Sequence, residues 1–113
     1  MTERIAILDT TLRDGAQREG ISLSVNDKIR IAQRLDDLGI AYIEGGWPGS
    51  NPKDVEFFAR ARHLRLKHGR IAAFCSTRHA NATADADRNL RAVLEAGVRT
   101  AVVVGVPWLV SKK

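Results

Sequence analysis

The sequence predicts an α/β protein in which parallel strands alternate with helices in the order β-α-β-α-β-α-β. Three observations predict it. Four short apolar runs recur about every 30 residues, amphipathic stretches of helical period lie between them, and helix-stop glycines fall where each stretch should end. Helical connections between successive strands imply right-handed crossovers and hence a parallel sheet.

Taken in order, Ile5-Ala6-Ile7-Leu8 is the first run and is expected as a buried strand. Ser24, with Asp27 three residues on, has the form of a helix start, its carboxylate beside the positive end of the helix dipole. Ile31, Leu35 and Leu38, with Ala32 alongside, keep helical spacing, and Lys28, Arg30, Arg34 and Asp37 are expected mostly on other faces. Gly39 stops this helix, expected over roughly 26 to 38. Ile40-Ala41-Tyr42-Ile43 is the second strand and leads into a glycine-rich stretch, Glu44-Gly45-Gly46-Trp47-Pro48-Gly49-Ser50. Asn51-Pro52 offers a cap followed by proline in the first turn. Val55, Phe58, Ala59 and Arg62 then follow at helical spacing, with His68-Gly69 as the expected end. Ile71 to Cys75 is the third strand. A third helix is expected from about Asp85 to Ala96, with Leu90, Val93 and Leu94 inward and Gly97 as its stop. Thr100 to Gly105 is the fourth strand.

Composition narrows the function classes. The chain has 113 residues, 44% of them hydrophobic, which suits one domain with no linker or low-complexity segment. Lys plus Arg outnumber Asp plus Glu 18 to 13, for a net charge of +5. The cations are dispersed and only 5% of residues are aromatic, which argues against a base-stacking nucleic-acid surface and favours a small anionic substrate. No apolar run approaches the roughly 18 residues of a membrane span. The single cysteine, Cys75, lies in an apolar run, reads as a buried small hydrophobe and fits a reducing, cytoplasmic setting.

Two architectures share this alternation. A dinucleotide-binding fold should carry Gly-x-Gly-x-x-Gly after its first strand, and the first loop has only Gly15 and Gly20. The better fit is the amino-terminal half of a (β/α)8 barrel, which in full takes about 250 residues. The domain at 1-113 is therefore expected to be partial, incomplete at its carboxyl end and left with two unpaired strand edges. In either architecture ligands bind at the carboxyl ends of the strands. Arg13 and Asp14 follow the first strand there, and Glu44 follows the second.

The string Asp9-Thr10-Thr11-Leu12-Arg13-Asp14-Gly15-Ala16-Gln17, followed after ten residues by Lys28, resembles the amino-terminal signature of the isopropylmalate, homocitrate and citramalate synthases. These belong to a wider group of metal-dependent condensing and cleaving TIM barrels that includes hydroxymethylglutaryl-CoA lyase. Ile43-Glu44-Gly45-Gly46-Trp47-Pro48-Gly49-Ser50-Asn51-Pro52-Lys53-Asp54 most resembles the citramalate-forming branch. The match runs from about Ile7 to Phe74.

The resemblance implies an acyltransferase that condenses acetyl-CoA with pyruvate and water to citramalate and CoA, in isoleucine and branched-chain amino-acid synthesis. It implies Asp14 as a carboxylate ligand of a divalent metal (Mg, Mn or Zn). Arg13 would be a catalytic, substrate-facing cation, Glu44 the acid that pairs with it, and Gln17 a substrate hydrogen-bonding group. It further implies a homodimer for the full-length enzyme. Isopropylmalate or homocitrate synthase is the nearest alternative. The family's later His-x-His ligand pair has no counterpart here, since His63, His68 and His79 lack that spacing. The stretch Gly105-Val106-Pro107-Trp108-Leu109-Val110 follows the family only loosely, and the Lys112-Lys113 ending suggests a truncated or frame-disrupted product. The chain by itself is therefore expected to be inactive. The alternative of another class is a non-catalytic half-barrel that pairs with itself or another chain.

Overall fold

The computed structural model describes residues 4–77, 83 and 87–105. It contains four parallel strands in one sheet, in sequence order: β1 (Leu8–Asp9), β2 (Tyr42–Gly46), β3 (Arg70–Ser76) and β4 (Thr100–Val104). Between them lie α1 (Val25–Asp37), α2 (Pro52–Ala61) and α3 (Arg88–Ala96). Strand order never reverses, and α1 packs on α2 and α2 on α3, so the helices form one layer beside the sheet. A doubly wound sheet reverses its order at a switch point. This one does not; it is a half-barrel.

Local chemistry accounts for most of the boundaries. Ser24 accepts from the Asp27 N–H at 3.0 Å and Asp27 accepts from the Ser24 N–H at 3.0 Å, a closed capping box that starts α1. Asn51 caps α2 and Pro52 opens it. Asp87 caps α3, which therefore begins at Arg88, and Gly97 ends it in the left-handed region. Asp85, the expected start of that helix, lies outside the described residues.

Several expectations need correction. Ile5 to Leu8 is not buried: the paired strand is only Leu8–Asp9, and Ile5 is 88% exposed. The cause is that β1 has a neighbour on one side alone, β2, among the described residues. β2 runs through Glu44, Gly45 and Gly46, which belong to the strand and not to a loop after it. In α2 the buried face is Asp54, Phe57, Phe58 and Ala61, while Val55, Ala59 and Arg62 are exposed. Phe57 and Phe58 together carry the largest apolar area of the helix, so they set its rotation. The helix stops at Ala61, well before His68. Leu38 and Leu94, expected inward, are exposed. Lys28, expected on an outer face, is 3% exposed.

The core lies between sheet and helix layer, where Phe57, Phe58 and Ala61 meet Ile43 and Ala73. Gly45 makes that contact possible. A Cβ there would overlap the Cε2 edge of the Phe57 ring and lie within 3.1 Å of Phe58 Cε1. At Gly46 the strand is irregular in register and φ is +151°, a conformation that favours glycine. The Asp54 carboxylate fills the space a Cβ would take.

A buried carboxylate holds the α2–β3 connection. Asp36, at the end of α1, accepts from the backbone N–H groups of Lys67, His68 and Gly69, each at 2.7 Å. Burial pushes its carboxyl up, but these three bonds, with the nearby His68, outweigh that and leave it below the ordinary 3.8. The sign follows: a depressed folded-state value stabilises the fold above the unfolded pKa, and that share is lost as pH falls through the folded one. Urea denaturation of the 113-residue chain should therefore show stability falling below about pH 4. Asp36→Asn should flatten that slope and, at pH 7, cost about 2–3 kcal/mol. An unchanged acid slope in the variant would refute the assignment.

Candidate active site at the carboxyl ends of the strands

The first loop turns as soon as β1 ends. Asp9 closes the turn, its Oδ1 accepting the Thr11 N–H at 2.9 Å and its Oδ2 the Thr11 hydroxyl at 3.1 Å. The N–H groups of Arg13, Asp14 and Gly15 then converge on the Thr10 carbonyl, at 3.2, 2.8 and 3.2 Å. A short 3-10 turn follows over Gly15–Gln17. This coil buries Leu12 and sends Arg13 back across the sheet.

Arg13 is held from two directions. Its Nε donates to Glu44 Oε1, and its guanidinium lies 4.1 Å from the centroid of the Phe74 ring. Side chains on β2 and β3 thus fix a cation carried by the loop after β1. Glu44 is 1% exposed, and its other oxygen, Oε2, has no hydrogen-bond partner among the described residues. A buried acceptor left unmatched is costly. Phe74 in turn meets Trp47 edge to face, with centroids 4.8 Å apart.

Asp14 stands beside Arg13 and is exposed, and its side chain makes no capping bond to the turn it precedes. Gln17, also exposed, lines a polar cavity of about 290 Å³ together with Arg13, Lys28, Trp47, Asn51 and Lys53. A larger cavity, about 390 Å³, sits near Arg70 and Thr100 at the amino ends of β3 and β4. It is at the wrong end of the sheet for chemistry in this architecture. No group of three or more His, Cys, Asp and Glu is placed to hold a metal among the described residues, so Asp14 alone does not make a metal site. His63 and His68 are exposed, and His79 lies outside the described residues. Cys75 is buried; burial and the Asp87 carboxylate push its thiol up, which disfavours the reactive thiolate.

Two features of the site escaped sequence reasoning. Lys28 Nζ pairs with Asp54 Oδ1 at 2.6 Å, buried between α1 and α2. Asn89 accepts from Trp47 Nε1 at 2.6 Å and donates to the Ser76 carbonyl and hydroxyl, both at 2.8 Å. The first had a readable signal. Lys28 lies on the stripe Val25, Lys28, Ala32, Asp36, and Asp54 on the stripe Asp54, Phe57, Phe58, Ala61, each at the spacing of a buried helix face.

A parallel half-barrel with an arginine, its buried acid partner and an exposed aspartate at the strands' carboxyl ends defines a barrel-type α/β protein with a polar site at the expected end. The particular family follows from comparison. Residues 4–107 match the HMGL-like family model, and the chain belongs to that family. It is 56% identical over 102 residues to an (R)-citramalate synthase of Synechocystis sp., covering 90% of this chain and 19% of that protein. An (R)-citramalate synthase of Sulfolobus acidocaldarius is 53% identical over 107 residues, covering 95% of this chain and 20% of the relative. A 2-isopropylmalate synthase of Chromobacterium violaceum is 40% identical over 96 residues, covering 85% and 17%. The chain thus spans about a fifth of the length of the curated relatives it matches. No helix among the described residues is long and apolar enough to cross a membrane.

Proposed function

We propose that this chain forms the amino-terminal part of a cytoplasmic acyltransferase that condenses acetyl-CoA with pyruvate and water to citramalate and CoA, in branched-chain amino-acid synthesis. The observation that carries the reading is the Arg13 guanidinium, held by Glu44 and Phe74 at the carboxyl end of the sheet. The higher identity to the two citramalate synthases than to the 2-isopropylmalate synthase, 56% and 53% against 40%, supports pyruvate as the acceptor.

In this reaction the methyl group of the acetyl thioester loses a proton, its enolate attacks the keto carbon, and hydrolysis of the thioester releases CoA. Negative charge gathers on oxygen at both stages. A fixed cation aimed at that oxygen stabilises it without reorganising as the charge develops. Arg13 takes this role. Glu44 holds the guanidinium in orientation, and Gln17 hydrogen-bonds substrate from the cavity wall. Asp14 is proposed as one carboxylate ligand of a divalent metal (Mg, Mn or Zn), the other ligands coming from outside the described residues. A homodimer is the assembly proposed for the longer enzyme.

The test is a chimera in which this chain replaces the matching segment of the Synechocystis enzyme. Pyruvate-dependent CoA release, followed with a thiol reagent, is expected from the chimera, and none from the isolated 113-residue chain under the same conditions. A chimera that folds yet releases no CoA would remove the reading. A second reading, a non-catalytic half-barrel that pairs with another copy, draws support from the exposed Ile5, Ile7 and Leu8 by β1 and Val103 and Val104 on β4. It requires that the isolated chain sediment as a dimer.

A further inference from the structure

Lys28 and Asp54 are charged residues on the buried faces of α1 and α2, near the amino end of each helix. Burying such a pair gains little over well-packed apolar residues, because desolvation offsets the attraction. Stability alone therefore does not account for it, and the remaining contacts of Asp54 are more informative. Its Oδ1 takes the Lys28 ammonium, and its Oδ2 accepts the Trp47 N–H at 2.9 Å. Asp54 also occupies the space left open at Gly46. The ion pair thus pins the backbone just where β2 ends. Trp47 then meets Phe74 edge to face, and the face of Phe74 carries the Arg13 guanidinium. Lys28, Asp54, Trp47 and Arg13 line one cavity, yet Lys28 and Asp54 form no hydrogen bond to Arg13.

We propose that the buried Lys28–Asp54 pair is a positioning device for Arg13, acting through the Trp47 backbone and the Trp47–Phe74 ring contact. This rests on the reading of Arg13 as the oxyanion-facing cation. Packed side chains with few alternative arrangements can carry such coupling, and the demonstration has to be energetic, not merely spatial.

The measurement is solvent exchange of the Arg13 Nε–H, with the Trp47 amide and indole resonances, in ¹⁵N-labelled 113-residue chain. Lys28→Met should speed Arg13 exchange about 3- to 30-fold, in keeping with couplings measured along such networks. Lys28→Arg, which keeps the cation, should restore most of the protection. Phe74→Leu removes the ring without touching the ion pair; it should speed Arg13 exchange while leaving the Trp47 amide in place. Arg13 exchange unchanged in Lys28→Met would overturn the proposal. So would an equal acceleration at Ala73 and Val102 in β3 and β4, since that reports general loosening. Should Lys28→Met not fold, Phe74→Leu decides, and unchanged Arg13 exchange there is equally fatal. None of these readouts involves substrate. A chimera that folds but releases no CoA would remove the role of Arg13 and leave the coupling to be judged alone.

Discussion

Arg13→Ala in the chimera with the Synechocystis enzyme should lower kcat by about 10²–10³, the loss seen when one preorganised oxyanion donor is removed. The same substitution should also destabilise the fold, because Glu44, 1% exposed, would be left as a buried carboxylate with no cation. Breaking a buried pair from one side costs about 3–5 kcal/mol. Activity loss alone therefore does not separate chemistry from folding. The double substitution Arg13→Ala with Glu44→Gln does. A neutral amide needs no counter-ion, so stability should return toward the parent value while kcat stays low. Arg13→Lys keeps the charge but not the guanidinium that lies over Phe74, and should recover only part of the rate. Were the double variant to regain activity along with stability, Arg13 would be a structural partner of Glu44 and nothing more.

The parts of this fold that were legible in the sequence are the parts set by local chemistry. The Ser24–Asp27 box, Asn51 ahead of Pro52, and Gly97 each act within a few residues, and each fixes an element end where expected. The half-barrel followed from the β-α alternation with no dinucleotide fingerprint. Arg13, Asp14, Gln17 and Glu44 are legible because charged and polar groups stand in or beside strand-end motifs of a recognisable family. The structure brings Arg13 onto Glu44, leaves Asp14 exposed next to Arg13 without a cluster of ligands among the described residues, and puts Gln17 on the cavity wall.

What was not legible depends on partners distant in the chain. The spacing of Val55, Phe58, Ala59 and Arg62 competes with that of Asp54, Phe57, Phe58 and Ala61, and only the packing of both rings against Gly45 shows that the second face is the buried one. Asp36 is an ordinary surface residue until the chain 31 to 33 positions later folds onto it. Ile5 and Ile7 look like core because apolar pattern reports what a strand can bury, not whether a neighbour is there to cover it.

Gly45→Ala should cost about 3 kcal/mol, at the upper end of overpacking penalties. The new methyl group clashes with the Cε2 edge of the Phe57 ring, and that ring is fully buried, with little room to swing aside. Phe57→Leu removes the edge of the ring that Gly45 meets. On its own it should cost about 1–2 kcal/mol, less than complete truncation of a buried phenylalanine. The two changes relieve one another, so the double variant should be more stable than the sum of the singles predicts by about 1–2 kcal/mol, within the usual range for touching residues. Additivity to within about 0.5 kcal/mol, in a urea double-mutant cycle, would show that this contact does not set the spacing of β2 and α2. The same spacing governs the site. Glu44 precedes Gly45 on β2 and Asp54 lies one turn before Phe58 on α2, so a methyl group that forces strand and helix apart also moves the acid beneath Arg13 away from the anchor of Trp47. Arg13 Nε–H exchange should therefore rise in Gly45→Ala and fall back when Phe57→Leu is added.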